Sequence, residues 1–331
     1  MPPRSQNGFS ARRINRFRHE EYHVEHHELI ILGAGPAGLT AAIYAKRAGL
    51  DAIVLEKAVA GGQITTTSDV ENWPGTKQIS GFDLAASFQE HAEHLGAEIR
   101  ITEVTGLDIT GSPKILQTDK GPISADALVI CTGARHRHLG APGEAELTGR
   151  GVSYCAVCDG PFFRNEEVMV VGGGDTAAEE AVYLTRFVSK VYLVHRRDTL
   201  RATELIANRA LANPKIVPVW DSVVKSINGK TGVESVTVRN VKTNAEQNIA
   251  VTGVFVFVGT LPNSEVLKDS GLEMSDGGWL LVDQANLSTN IPGVFAAGDV
   301  RETSLRQMVT AAADGARAAM AAYAYVADMK N

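Results

Sequence analysis

A chain of 331 residues has room for about two domains. Its 44% hydrophobic and 21% charged residues make an ordinary globular composition. A formal net charge of -6 lacks the basic footprint that nucleic acid calls for, and no apolar run approaches the ~18 uncharged residues of a membrane span, so neither partner is expected.

Residues 1–27 come first and differ in composition from the rest of the chain. Arg4, Arg12, Arg13, Arg16 and Arg18 give way to a His/Glu cluster from His23 to Glu28. A transit peptide, a metal site at His23, His26 and His27, or an upstream start of translation would each explain the pattern. The plainest reading is a disordered extension, and the lack of an apolar h-region excludes a secretory signal. Apolar patterning begins at Leu29.

Leu29 to Leu32 is a short apolar run ending in glycine, which reads as a buried parallel strand. Residues 36 to 48 carry helical periodicity, and Ala52 to Leu55 forms a second strand. The turn inside this βαβ unit is Gly33-Ala34-Gly35-Pro36-Ala37-Gly38, a GxGxxG in the strand-to-helix context the motif needs. The first glycine permits a tight turn, the second lets a pyrophosphate approach the backbone, and the third lets helix pack on strand. The helix N-terminus adds free N–H groups and partial positive charge. Glu56, 23 residues after Gly33, suits a hydrogen bond to a ribose 2′-hydroxyl.

Ala127 to Cys131 is a third buried strand, closed by Thr132-Gly133. After the polar, proline-bearing stretch His136 to Gly143 comes Cys155-Ala-Val-Cys158-Asp159-Gly160. The βαβ pattern then returns about 140 residues after its first appearance, with a strand over Glu167 to Val171, a helix over 175–187 and a strand over Val191 to Val194. Its loop is Gly172-Gly173-Gly174-Asp175-Thr176-Ala177. The second strand ends in His195-Arg196-Arg197 with Arg201 close behind, and Arg196 lies 24 residues after Gly172. Arginine makes paired contacts to phosphate and keeps its charge, so a 2′-phosphate fits and NADPH is expected over NADH.

Strands over Val254 to Val258 and Gly293 to Ala297 end at Gly259 and at Gly298-Asp299, and an Ala-rich helix over 305–328 closes the chain. Thr260 to Ser264 mirrors the earlier polar stretch. With both read as linkers, the fold class is α/β, built from two Rossmann-like three-layer nucleotide-binding domains. Residues 28–137 and 264–331 form a discontinuous FAD domain, and residues 138–263 form an inserted NADPH domain. Opposite charge at the two strand ends, Glu56 against Arg196, assigns them different dinucleotides.

A CxxC serves zinc sites as well as redox chemistry. Structural zinc needs four ligands; there is no second CxxC, and His136 and His138 sit in a linker, so no metal ligand is assigned. Cys131 is read as an inert core thiol. Three cysteines are too few for a secreted disulfide scaffold, and a cytoplasmic location is expected. Cys155 and Cys158 are read as a redox pair, with Asp159 handling protons or capping a helix.

These motifs together resemble the low-molecular-weight thioredoxin reductases. The resemblance rests on Cys-Ala-Val-Cys-Asp-Gly, on the second loop through Glu179 and Glu180, and on His195-Arg196-Arg197-Asp198. Gly61-Gly62-Gln63-Ile64-Thr65-Thr66-Thr67, Val70-Glu71-Asn72-Trp73-Pro74-Gly75, Gly298-Asp299-Val300 and Arg306-Gln307 extend it. It covers about residue 28 to the C-terminus. It implies FAD, NADPH, a homodimer and thioredoxin as protein substrate. By motif, Gly62, Gln63 and Asn72 would contact FAD, Asp299 would take its ribityl or pyrophosphate part, and Arg306-Gln307 would lie at the flavin. Glu179 would belong to the NADPH site, and Cys158 would face the flavin ring. Pro161 departs from many members; the related flavoprotein subunit of alkyl hydroperoxide reductase often has proline there. A reductase of a peroxiredoxin or another thioredoxin-like partner, or a non-enzymatic flavoprotein redox sensor, are the alternative functions.

Overall fold

The computed structural model describes residues 24–67 and 70–331; His23 and the arginine-bearing segment before it lie outside them. The first domain opens with β1 (Glu25–Leu32), α1 (Pro36–Arg47), β2 (Ala52–Glu56), α2 (Gly81–His94), β3 (Glu98–Ile101), β4 (Val104–Asp108), β5 (Lys114–Thr118) and β6 (Gly121–Ile130). The sheet runs β3-β2-β1-β6-β5-β4, parallel from β3 to β6 and antiparallel beyond. The aliphatic runs of β1, β2 and β6 are buried on both faces, as parallel strands under flanking layers require.

β1 corrects the boundary drawn at residue 28. It starts at Glu25, and Glu25 to His27 pair with Ile123 to Ala125 of β6. Charge rather than apolar pattern holds this end, which is why hydropathy passes over it. Arg100 reaches Glu25 at 2.6 Å and pulls its carboxyl down to about 2. His27 lies between Glu25 at 3.1 Å and Asp51 at 2.9 Å, and His26 meets Ser124 at 3.1 Å and Asp126 at 3.3 Å. Among the described residues, no group of three or more His, Cys, Asp or Glu is arranged to hold a metal ion.

The chain leaves through β7 (Ala134–His136) and continues with α3 (Glu144–Leu147), β8 (Val152–Ser153), α4 (Ala156–Asp159), β9 (Glu167–Gly172), α5 (Asp175–Leu184), β10 (Lys190–Val194), α6 (Glu204–Leu211) and β11 (Ile216–Val219). Next come β12 (Ser222–Asn228), β13 (Ser235–Asn240), β14 (Glu246–Ala250), β15 (Gly253–Phe257) and β16 (Thr260–Pro262). A parallel sheet of order β11-β10-β9-β15-β8 forms the central layer of this part, and β12-β13-β14 is a separate antiparallel sheet. The helix expected over 175–187 stops at Leu184, where the Phe187 N–H turns back to the Leu184 carbonyl at 2.9 Å.

The two stretches read as linkers are not loose. β7 and β16 pair antiparallel, with His136 opposite Thr260 and Ala134 opposite Pro262. The chain then returns through β17 (Val294–Ala296) and α7 (Met308–Met329). β5 covers the first half of one β6 edge and β17 the second half, so the returning segment completes the first sheet. α7 lies on α1 closely enough that a Cβ at Gly315 would sit 2.0 Å from the Ala37 carbonyl oxygen. Arg301 and Asp314, both buried, join at 2.6 Å, fixing the Gly298-Asp299 turn to α7. Removing one partner of such a pair typically costs about 3–5 kcal/mol.

Candidate functional site

The first loop is a cradle defined by backbone contact. Gly33 has φ 106°, and a Cβ on Gly38 would lie 1.8 Å from the Gly33 carbonyl oxygen. A Cβ on Gly35 would meet nothing within 4 Å, so that side opens toward a ligand. Pro36 opens α1, where its missing N–H leaves nothing unsatisfied. Ala37 is buried against the Gly298 turn. Glu56 accepts the Ala34 N–H at 2.9 Å and the Ala58 N–H at 3.0 Å. Each oxygen is thus oriented with a lone pair left for a diol.

A second strip of residues extends from this cradle. Gly62 has φ 62° and its Cβ would come 3.3 Å from the Gly35 Cα. The Gln63 side-chain amide donates to the Ala134 carbonyl. Asn72 donates to the Gln307 side-chain carbonyl at 3.1 Å, and Gln307 caps α7 in a reciprocal box with Thr310. Asp299 sits half-buried, its carboxyl pushed up to about 6, chiefly by burial, with Arg306 opposing. Arg306 lies over the Trp279 ring at 3.9 Å. Its Nε and the Thr132 hydroxyl are buried with no partner, polar atoms that an added acceptor or donor would satisfy.

In the inserted domain, Gly172 and Gly173 are fixed by their neighbours. A Cβ on Gly172 would come 2.5 Å from the Phe257 carbonyl oxygen, and one on Gly173 would strike the His195 ring at 2.2 Å. Gly174 caps α5, with Arg201 Nη2 as the nearest atom to its Cβ position at 3.7 Å. Asp175 accepts the Thr203 N–H at 2.6 Å, while Thr176 and Glu179 are exposed on α5. His195 is 6% exposed, its Nε2 has no partner, and burial followed by the Arg201, Arg197 and Arg196 charges pushes its pKa down. The three guanidiniums are exposed. Asp198, and Asp221 whose N–H donates to the Arg197 carbonyl at 3.1 Å, are held by Lys242 at 3.2 and 2.9 Å, so neither carboxylate makes an ion pair with the three arginines.

Cys155 and Cys158 form a disulfide. Cys155 caps α4, and the Cys158 N–H donates to its Sγ at 3.1 Å. Asp159 is half-buried, and burial raises its carboxyl pKa against the opposing hydrogen bond of Ser153. Pro161 opens a 3₁₀ turn over Gly160–Phe163 that continues α4, again a position where no N–H is missed. Gln307 Nε2 lies 3.7 Å from Cys155 Sγ and 3.9 Å from Cys158 Sγ. The disulfide of the inserted domain therefore rests on the strip formed by Asn72, Gln307 and their neighbours in the first. Cys131 is buried beneath the first loop, and burial pushes its thiol pKa far up. Sequence reasoning passed over Thr132, Trp279 and the Arg301–Asp314 pair, which carry no motif; it also gave no role to Tyr154, although an aromatic directly before a CxxC was a readable cue.

Residues 27–315 match the model of the pyridine nucleotide-disulphide oxidoreductase family, and the chain belongs to that family. Membership implies the use of a flavin and a pyridine nucleotide. The chain is 44% identical over 308 residues to thioredoxin reductase of Bacillus subtilis (strain 168), covering 92% of this chain and 96% of the relative. Among solved structures, thioredoxin reductase from Streptococcus pyogenes MGAS5005 superposes with a TM-score of 0.88 at 45% identity, over 92% of this chain and 99% of that one. The FR-conformation structure of Lactococcus lactis thioredoxin reductase, at 46% identity over 91% and 99% of the chains, gives 0.63. Equal identity with so different a superposition means that large parts of the two solved chains are arranged differently.

Proposed function

We propose that the chain is a thioredoxin reductase catalysing NADPH + H⁺ + thioredoxin disulfide → NADP⁺ + thioredoxin dithiol. The observation that carries this reading is the Cys155–Cys158 disulfide of the inserted domain, lying 3.7–3.9 Å from Gln307 at the edge of the first cradle. FAD, when bound, supplies the two-electron relay between nicotinamide and disulfide.

The first loop, Gly62, Gln63, Asn72, Asp299, Arg306 and Gln307 would hold FAD, with Glu56 on its ribose. The open side of Gly35 and the orphaned Thr132 and Arg306 atoms fit that assignment. The second loop with Asp175, Thr176 and Glu179 would hold NADPH, with His195, Arg196, Arg197 and Arg201 around the 2′-phosphate; the unpartnered His195 Nε2 fits. In the dithiol form, the Cys158 N–H stabilises a Cys155 thiolate. That thiolate attacks one sulfur of the partner disulfide and expels the other as a thiolate. Cys158 then attacks the mixed disulfide, restoring the Cys155–Cys158 bond and releasing the second partner thiol. Asp159, its carboxyl raised by burial, supplies and recovers the protons.

Residues 25–137 with 264–331, and 138–263, act as two bodies joined by the β7–β16 ribbon. Both the nucleotide loop and the dithiol of the inserted domain must serve one flavin, and the dithiol must reach a protein. Rotation at the ribbon lets them alternate, and the superposition difference between the two solved reductases supports it. A homodimer in the cytoplasm completes the proposal; among the described residues no helix is long and apolar enough to cross a membrane. The test is NADPH oxidation by the holoenzyme with a generic disulfide dye, then with thioredoxin and with a peroxiredoxin. Stimulation by thioredoxin, with one dithiol formed per NADPH, is expected. Dye reduction with no response to thioredoxin would contradict the assignment.

A further inference from the structure

Tyr154 stands directly before Cys155, in the inserted domain. Its ring stacks near-parallel and offset on His136, centroids 5.0 Å apart and planes 11° from parallel. His136 is the last residue of β7, paired with Thr260 of β16, so the stack joins the redox segment to the ribbon between the domains. The ribbon is tied down on the side of the first domain. Arg135 donates to Asn263 at 2.7 Å and to Glu265 at 2.5 Å, and Asn263 donates to the Gly133 and Thr132 carbonyls at 2.9 and 2.8 Å.

The hydroxyl end of Tyr154 is tied to the inserted domain. It donates to Glu144 at 2.9 Å, and Glu144, 3% exposed, also accepts the Leu139 and Gly140 N–H groups at 2.9 and 2.8 Å. His138 Nδ1 is 2.8 Å from the same hydroxyl. Since the phenol proton goes to Glu144, His138 must present Nδ1–H to the oxygen. Tyr154 is thereby rigid within its own domain, and its face is the part that leans across the boundary. The groups facing His136 are Tyr154, His138 and Arg306.

We infer that the His136–Tyr154 stack is a latch that holds the inserted domain where Cys155–Cys158 lies against Gln307, with His136 and Tyr154 as positioning residues. This rests on the two-body reading above. Breaking the stack shifts the equilibrium toward the rotated arrangement, in which the dithiol is open to solvent and the nucleotide loop serves the flavin. An aromatic stack biases a two-state equilibrium by roughly 2- to 12-fold.

Two rates of the holoenzyme test this, measured in His136→Ala and in His136→Phe, which keeps a ring. The first is alkylation of the chemically reduced Cys155–Cys158 dithiol by iodoacetamide. The second is flavin reduction by NADPH in stopped flow. His136→Ala should raise both by roughly 2- to 12-fold, and His136→Phe should stay within about twofold of wild type on both. Tyr154→Leu breaks the stack from the other side and should match His136→Ala, so either variant suffices if the other fails to fold. Loosened packing alone would raise alkylation but slow flavin reduction. That result, unchanged rates in His136→Ala, or a His136→Phe that behaves like His136→Ala, would overturn the latch. Alkylation needs neither thioredoxin nor NADPH, so failure to reduce thioredoxin would remove the proposed activity and leave the alkylation comparison standing.

Discussion

Cys155→Ser and Cys158→Ser should each lose thioredoxin turnover by at least about 1,000-fold, a barrier increase above about 4 kcal/mol. Neither should lose flavin or the ability of NADPH to reduce it. The physical reason is that disulfide exchange needs both sulfurs, one to form the mixed disulfide and one to resolve it. A hydroxyl has neither the acidity nor the polarisability to substitute. The two variants should also differ. With Cys155 present, the backbone N–H of residue 158 still points at its sulfur, so Cys158→Ser should trap a stable mixed disulfide with a thioredoxin whose resolving cysteine is replaced by serine and whose remaining thiol is activated by thionitrobenzoate; with native thioredoxin the expelled thiolate returns and the adduct reverses. Cys155→Ser should not. Asp159→Asn should keep the disulfide yet lower turnover by roughly 100-fold, the usual scale of a positioned proton donor. Burial raises the Asp159 pKa, so its protonated, donating form fades as pH rises, and the proton-dependent part of wild-type turnover should fall with it. Stopped-flow separation of flavin reduction from thiol release checks all three. Equal loss in both phases would move the role of the cysteines to structure.

Arg196→Ala combined with Arg197→Ala and Arg201→Ala should collapse the preference for NADPH over NADH. Each charge-assisted contact to a phosphate is worth roughly 1.5–3 kcal/mol. Losing two or three removes roughly 3–9 kcal/mol and should therefore cost NADPH at least about 100-fold in kcat/KM, mostly through KM, because the adenosine end does not react. NADH, which has no 2′-phosphate, should change by less than about threefold. The protein should not lose stability: the three side chains are exposed and Lys242 already takes Asp198 and Asp221. Steady-state constants for both nucleotides decide it. A parallel fall for NADPH and NADH would place the arginines at the shared pyrophosphate, or in the packing of the loop.

The parts legible in the sequence are those where chemistry and backbone geometry demand particular residues at fixed spacing. Gly33, Gly38 and Gly173 are places where a Cβ would collide with backbone or with His195, and such positions admit only glycine. Glu56 was readable because it must stand at the end of the second strand, and it does, bonded to the loop it serves. The CxxC was readable from its spacing.

What escaped was non-local or polar. The β7–β16 ribbon consists of two three-residue strands far apart in the chain, each too short and polar for any periodicity. The start of β1 at Glu25 depends on Arg100, Asp51 and Asp126, charges that a hydropathy pattern treats as loop. The β12-β13-β14 sheet has mixed polar alternation, and its turn cue, Asn228-Gly229 between β12 and β13, was readable but passed over. Gln63, Asn72 and Gln307 are polar residues on short turns, and only the family resemblance singled them out. The meeting of Gln307 with the disulfide depends on how two domains face each other, which no local pattern encodes.

In the proposed cycle one dithiol, carried by a moving domain, links a flavin site to an external protein disulfide. The most direct measurement bridges the two domains of the holoenzyme with a short bis-maleimide between introduced surface cysteines, the native pair kept oxidised during coupling. Turnover of thioredoxin with NADPH should then stop while one half-reaction, flavin reduction or dithiol exchange, keeps its rate. Steady-state turnover at the uncoupled rate in the bridged protein would contradict the account.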